Sequence, residues 1–272
     1  MTMKPLFMLM LCLVVGGCAN VATMSGDQSA QVEGRTLAYS LSGTGSPAVV
    51  FEAGMGDAKE TWSAVAPQVA KSTTVLTYDR AGYGASRMAF DERSAVEVVA
   101  DLRTLLAAAG LKPPYVLVGH SLGGLYMQFF ARQYPSEVAG LVLVESTHWD
   151  QLARMEKESP TTANMTKVLV RTMPPHVQRE FDGSALAGRQ VREAPATHNI
   201  PVVVLTGTHR NLLERGKFAD ADYALQREIV GAYHARQVIA DRSGHYIQKD
   251  QPDLVVAAVA DVLALLRGPT NR

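Results

Sequence analysis

Residues 115–130 read YVLVGHSLGGLYMQFF. The first six form a short apolar run that stops at Gly119 and His120. A run of this length and composition fits a strand buried on both faces. From Leu122 onward the apolar residues recur at helical spacing. Between the two periods sits Ser121, with Gly119 two residues before it and Gly123 two residues after. The segment therefore reads as strand, sharp turn, helix. Such a turn strains the Ser backbone, and a side chain at either glycine position would collide with the adjoining strand and helix. The hydroxyl is left pointing outward, and the first N–H groups of the new helix gather beside it.

The same alternation extends to both sides. Strands are expected at 47–54, 73–79, 138–146, 201–207 and 235–243, and helices at 60–70, 94–110, 122–134, near 221–234, and at 253–266. Ser94, Glu97 and Gly110 supply the capping box and the C-terminal stop for the second of these helices. Short, almost wholly apolar strands alternating with amphipathic helices predict an α/β fold with a mostly parallel central sheet and right-handed crossovers. Residues 35–43 alternate more strictly and predict an antiparallel edge hairpin with the next strand. Residues 147–198 break the rhythm. They are more polar, contain Met155, Met165 and Met173, and predict a helical cap inserted over one end of the sheet.

A Ser hydroxyl needs a base to take its proton. The glycine-bearing loop after the last strand, SGHYIQKDQ, provides His245. His148, His209 and His234 suit that role less well by position. An acid must then orient the imidazole and support its charge. The segment after the 201–207 strand, THRNLLERG, has no acid close to the strand end. The candidates are Glu145, at the end of the preceding strand, then Glu214, Asp220 and Asp222, and Asp150. The N–H of Leu122 is placed to hold an oxyanion, and Gly54-Met55-Gly56 offers a second donor, by position the N–H of Met55.

At these residues the chain resembles the α/β-hydrolase superfamily. The likeness covers about residues 32–268 and rests on FEAGMGD, YDRAGYGAS, GHSLGG and SGHYIQKDQPDLV, in that family's order. Ala53 stands where the family has a His before Gly54, and the acid after LTG is missing. The resemblance implies an α/β-hydrolase fold with a helical cap. It implies a Ser121–His245–acid triad, an oxyanion hole from Leu122 and Met55, and no metal or other cofactor. Asp79, Arg80 and Gly82 match a loop that braces the floor of the family's site. A Ser at the elbow argues against the relatives that use Asp there. The expected activity is hydrolysis of a small or medium acyl ester. Acyl transfer, a cofactor-free lyase reaction and a non-catalytic binding lipoprotein are the alternatives.

The chain has 272 residues, 47% hydrophobic, with 26 Lys plus Arg against 26 Asp plus Glu. It is long enough for a substantial core, and the balanced charge without basic runs gives no reason to expect a nucleic-acid partner. The oligomeric state is left open. The N-terminus differs from the rest. Lys4 precedes an apolar stretch from Leu6 to Val15. That is short of the about 20 residues that span a bilayer and suits a secretory signal. Val15-Gly16-Gly17-Cys18 resembles a bacterial lipobox. It implies cleavage of residues 1–17, lipid on Cys18, a tether over 18–31 ahead of the domain at 32–272, and attachment to the cell envelope. Ala19 favours the outer membrane in that reading.

Overall fold

A computed structural model describes residues 27–87, 93–196, 199–209 and 216–268. The expected signal sequence, Cys18 and Glu214 lie outside these residues. The eight strands are β1 (Gln28–Val32), β2 (Arg35–Ser42), β3 (Val49–Glu52), β4 (Val75–Tyr78), β5 (Tyr115–His120), β6 (Val138–Val144), β7 (Val202–Gly207) and β8 (Arg236–Ala240). They form one sheet in the order β1-β2-β4-β3-β5-β6-β7-β8. β1 and β2 run antiparallel to their neighbours, and every pairing from β4 to β8 is parallel.

The strands are apolar throughout because helices cover both faces. Val50, Leu117, Leu141, Leu143 and Val204 point into one core, with α2 (Ala95–Ala108) and α3 (Leu122–Gln133). Phe51, Val116, Val118, Val142, Val144 and Leu205 point into the other, with α1 (Ala66–Val69) and α9 (Pro252–Arg267). Strict period-two alternation between two buried faces is what a parallel sheet demands. α2 carries the expected start: the Glu97 carboxylate accepts the Ser94 backbone N–H at 3.2 Å. Gly110 follows its end with φ 73°.

Three local expectations are corrected. The hairpin lies one strand earlier than expected: β2 pairs with β1 and β4, not with β3. Residues 28–31, assigned to the tether, thus belong to the edge strand β1. Its mostly polar sequence QSAQV is exposed along much of its length and gives no apolar signal, while Glu33 and Gly34 make the turn at φ 46° and 77°. The helix expected over 60–70 is split into a short 3₁₀ turn at Lys59–Trp62 and α1. Pro67 has no N–H to donate, so it is accommodated in a first turn and α1 begins beside it. The strand expected to 146 stops at Val144, because Glu145 takes φ 45°.

Between β6 and β7 lie α4 (Gln151–Glu158), α5 (Pro160–Val170) and α6 (Pro175–Glu193). α7 (Lys217–Ala232) and α8 (Ile247–Asp250) complete the helices. Among the described residues no helix is long and apolar enough to cross a membrane.

Candidate active site

Ser121 occupies the turn between β5 and α3 with φ 51° and ψ −124°. A non-glycine residue held there is strained and persists only where its surroundings fix it. They do so from the neighbouring strand. The Ser121 N–H donates to Val144 O at 3.1 Å, and the Ser121 backbone carbonyl oxygen accepts the Thr147 N–H at 3.0 Å. The flanking glycines are required by contact. A Cβ at Gly119 would lie 2.6 Å from the Cα of Gly124, and one at Gly123 would lie 2.3 Å from Ala53 O.

Ser121, Leu122 and Met55 line one cavity of about 140 Å³. Its other walls come from the loop after β6 and from the cap: Thr147, then Gln151, Leu152 and Met155 on α4, and Phe181 and Ser184 on α6. α4 and α6 therefore face the Ser end of the sheet. Of the three methionines noted in the cap, Met155 reaches this cavity, whereas Met165 on α5 is exposed. Among the described residues no acceptor takes the N–H of Met55 or of Leu122.

His245 lies half-buried in the loop after β8. Its Nδ1 is 3.7 Å from Oε2 of Glu145, which is buried at the end of β6. The other carboxylate oxygen, Oε1, accepts the Gly207 N–H at 2.6 Å. The positive φ of Glu145 turns its side chain across the end of β7. Of the other acids considered, Asp150 pairs with Arg192 at 2.7 Å, Asp222 faces Gln151 from α7 at 3.5 Å, and Asp220 is exposed in the first turn of α7. Of the other histidines, His148 is buried with Nε2 3.4 Å from Glu228, and burial lowers its pKa to about 4. His209 lies two residues past the end of β7, and its backbone N–H donates to Ser243 O at 2.9 Å. His234 closes α7 with φ 48°.

Several groups around the site give no signal in the sequence. His120, directly before Ser121, is buried, and its Nε2 lies 2.8 Å from the backbone oxygen of His245. Burial, and then the nearby His245, hold His120 well below the usual imidazole range, so it is neutral and its Nε2–H donates to that oxygen. It ties the His245 loop to the turn that carries Ser121. Asp57 stands 3.8 Å from His120 Nδ1, with burial raising its carboxyl pKa. Gln128 and Gln226 hold the loop after β6: Gln128 Nε2 donates to Ser146 Oγ at 2.9 Å, and Gln226 Nε2 to Ser146 O at 2.8 Å.

Arg80, which the resemblance places in a bracing loop, sits in a buried ion cluster under the Gly54 loop. Arg80 lies between Glu52, at the end of β3, and Glu180 on α6, with N···O distances of 2.6 Å to each. The Tyr78 hydroxyl donates to Glu52. Burial raises the Glu52 carboxyl, with Arg80 acting against it. The resemblance marks Arg80 but not Glu52 or Glu180, whose charges carry no sign in the sequence that they share its cluster. Only packing shows that all three side chains are removed from water and must satisfy one another.

Residues 47–259 match the family model described as the alpha/beta hydrolase fold. The chain is 30% identical over 225 residues to the uncharacterized protein YqjL of Bacillus subtilis, covering 81% of this chain and 85% of that one. Among solved structures, an esterase from Thermogutta terrifontis superposes with a TM-score of 0.62 at 20% identity, covering 89% of this chain and 99% of its own. The enol-lactonase of Burkholderia xenovorans LB400 gives 0.63 at 21% identity, covering 87% and 99%. Those two likenesses show the fold alone. The family-model match spans most of the chain and agrees with the sheet order and the strand–Ser–helix turn, so this chain belongs to the alpha/beta hydrolase family.

Proposed function

We propose that the protein is a serine hydrolase, most simply a carboxylesterase acting on a small or medium acyl ester. The observation that carries this reading is the strained Ser121 backbone, φ 51°, at the floor of a largely apolar cavity it shares with Leu122 and Met55. In the proposed route His245 takes the Ser121 proton and the Ser oxygen attacks the ester carbonyl. The N–H groups of Leu122 and Met55 stabilise the oxyanion. His245 then protonates the leaving alcohol, and water releases the acyl group by the same path. Glu145 keeps Nδ1–H of His245 as the proton-bearing nitrogen and supports the imidazolium. The 3.7 Å separation favours Glu145 over the other acids for this role. The proposed route calls on no metal or cofactor. The esterase and enol-lactonase of the same fold support ester chemistry as the reaction class, a lactone being an internal ester. An envelope location through lipid on Cys18 belongs to the same proposal and is supported by the lipobox-like VVGGC alone.

The test is hydrolysis of a p-nitrophenyl ester chain-length series. The wild type should turn over short and medium chains. Ser121→Ala and His245→Ala should each lose about 10⁴–10⁶ in kcat while keeping the fold. Product analysis with an added acceptor alcohol separates hydrolysis from acyl transfer. Wild-type turnover by Ser121→Ala would remove the nucleophile assignment.

A further inference from the structure

The peptide between Gly54 and Met55 is one plane, and it is not among the chain's cis bonds. In a trans peptide the C=O and N–H bonds point in opposite directions. Whatever holds the Gly54 oxygen therefore also aims the Met55 N–H. Arg80 Nη2 does this at 2.9 Å, together with the Asp57 N–H at 3.2 Å, and Arg80 Nη1 holds the preceding peptide by donating to Ala53 O at 2.6 Å. On the other side of Met55, the Gly56 N–H donates to the Tyr83 hydroxyl at 3.2 Å. The loop is gripped before and after Met55, which lines the cavity.

Both gripping residues are held in turn by one residue of the cap. Nε and Nη2 of Arg80 donate to Oε1 and Oε2 of Glu180 at 2.6 and 2.9 Å, a fork-on-fork pair. The Tyr83 hydroxyl donates to the same Oε2 at 2.7 Å. A bidentate pair fixes the plane of the guanidinium as well as its position. Glu180 and Arg80 are buried, so water cannot replace either partner at low cost. Glu52 holds Nη1 alone. Without Glu180 the guanidinium keeps one carboxylate contact beside its bonds to Ala53 O and Gly54 O, and loses the fork that fixes its plane and directs Nη2 at Gly54. The neighbours of Glu180 on α6, Phe181 and Ser184, line the substrate cavity.

We propose that Glu180 is a positioning residue which, through Arg80 and Tyr83, sets the Gly54–Met55 peptide as an oxyanion donor, so that seating the cap and forming the oxyanion hole are one event. The helix that shapes the acyl pocket thereby also arms the chemistry beneath it. This rests on the serine-hydrolase reading, since it concerns the donor that reading assigns to Met55.

The experiment compares the whole chain as wild type, Glu180→Gln and Tyr83→Phe. Three quantities are measured: kcat and KM on a p-nitrophenyl ester, the inhibition constant of an alkyl boronic acid, and the rate of Ser121 labelling by a fluorophosphonate. The boronic acid forms a tetrahedral adduct on Ser121 and needs the hole. Glu180→Gln keeps the size of the side chain and removes its charge. It should lower kcat about tenfold to a hundredfold, a share of what losing one donor outright costs. KM should move by less than about threefold, because ground-state binding is spared. The boronate should weaken by the same factor as kcat. Tyr83→Phe should act in the same direction and less strongly. It carries the test by itself if Glu180→Gln does not fold. Folded variants with wild-type kcat and boronate affinity, or with the whole loss in KM, would overturn the proposal and leave the Ser121 reading intact. A wild type that neither labels at Ser121 nor hydrolyses the ester would overturn the reading and this proposal with it.

Discussion

Replacing Glu145 by Gln should cost about 10⁴ in kcat, about 5.5 kcal/mol of transition-state stabilisation. The reason lies in how its two oxygens are shared. Oε1 accepts the Gly207 N–H at 2.6 Å, and Oε2 faces Nδ1 of His245 at 3.7 Å. Both neighbours donate in the proposed active form, and a carboxylate accepts from both. A Gln side chain has one acceptor oxygen and one donor nitrogen. The Gly207 N–H can only donate, and it is part of the β7 end, so it claims the Gln oxygen. The amide NH₂ is then left facing Nδ1, which must become an acceptor. His245 is driven into the tautomer with its proton on Nε2, where it cannot take a proton from Ser121. Packing is preserved, so the loss should fall on kcat with KM and thermal stability little changed. Stopped-flow measurement of acylation on a p-nitrophenyl ester, beside a thermal melt, reads both quantities. A folded Glu145→Gln enzyme within about tenfold of wild-type kcat would refute the assignment of the acid.

Three further outcomes are expected. Gly123→Ala places a Cβ 2.3 Å from Ala53 O and 2.6 Å from Glu52 O, both backbone atoms. It should destabilise the fold by about 1–3 kcal/mol in urea titration and lower activity by moving the Gly54 loop; an unchanged midpoint and activity would count against the close-approach argument. His148 should make stability fall on the acid side. Its folded pKa is about 4. An ordinary imidazole titrates near about 6.5, so between these values the unfolded chain binds a proton that the fold refuses. The stability from neutral His148 is therefore complete above about 6.5 and is lost as pH falls towards 4, by at most about 3 kcal/mol. His148→Gln should flatten the denaturation midpoint over that window; an equally steep profile in both proteins would remove His148 as its cause. Finally, metabolic palmitate should label the wild type and not Cys18→Ala, and an unlabelled wild type would end the lipid-anchor proposal.

The sequence by itself determined the class of fold and the place of the turn that holds Ser121, the proposed nucleophile. Both depend on patterns that survive without three-dimensional context. Strands buried on two faces must be apolar at every position, and a Ser at a strand-to-helix turn leaves the glycines at 119 and 123 as its mark. Pro67 and the Ser94–Glu97 pair are equally local, although the break that Pro67 imposes on the 60–70 segment was hidden beneath its helical apolar spacing. The edge strand Gln28–Val32 was not legible, since an exposed strand is recognised by its partner and not by its own composition. The acid was open in the sequence, and the geometry that favours Glu145 arises only when β6 and β7 lie side by side and φ 45° turns the carboxylate across them. The same is true of His120 beside the His245 loop, and of Arg80 between Glu52 and Glu180, residues separated by up to 128 positions along the chain. A charge or an imidazole has no preferred sequence neighbour. Its role is decided by which groups share its loss of water, and that is a property of packing alone.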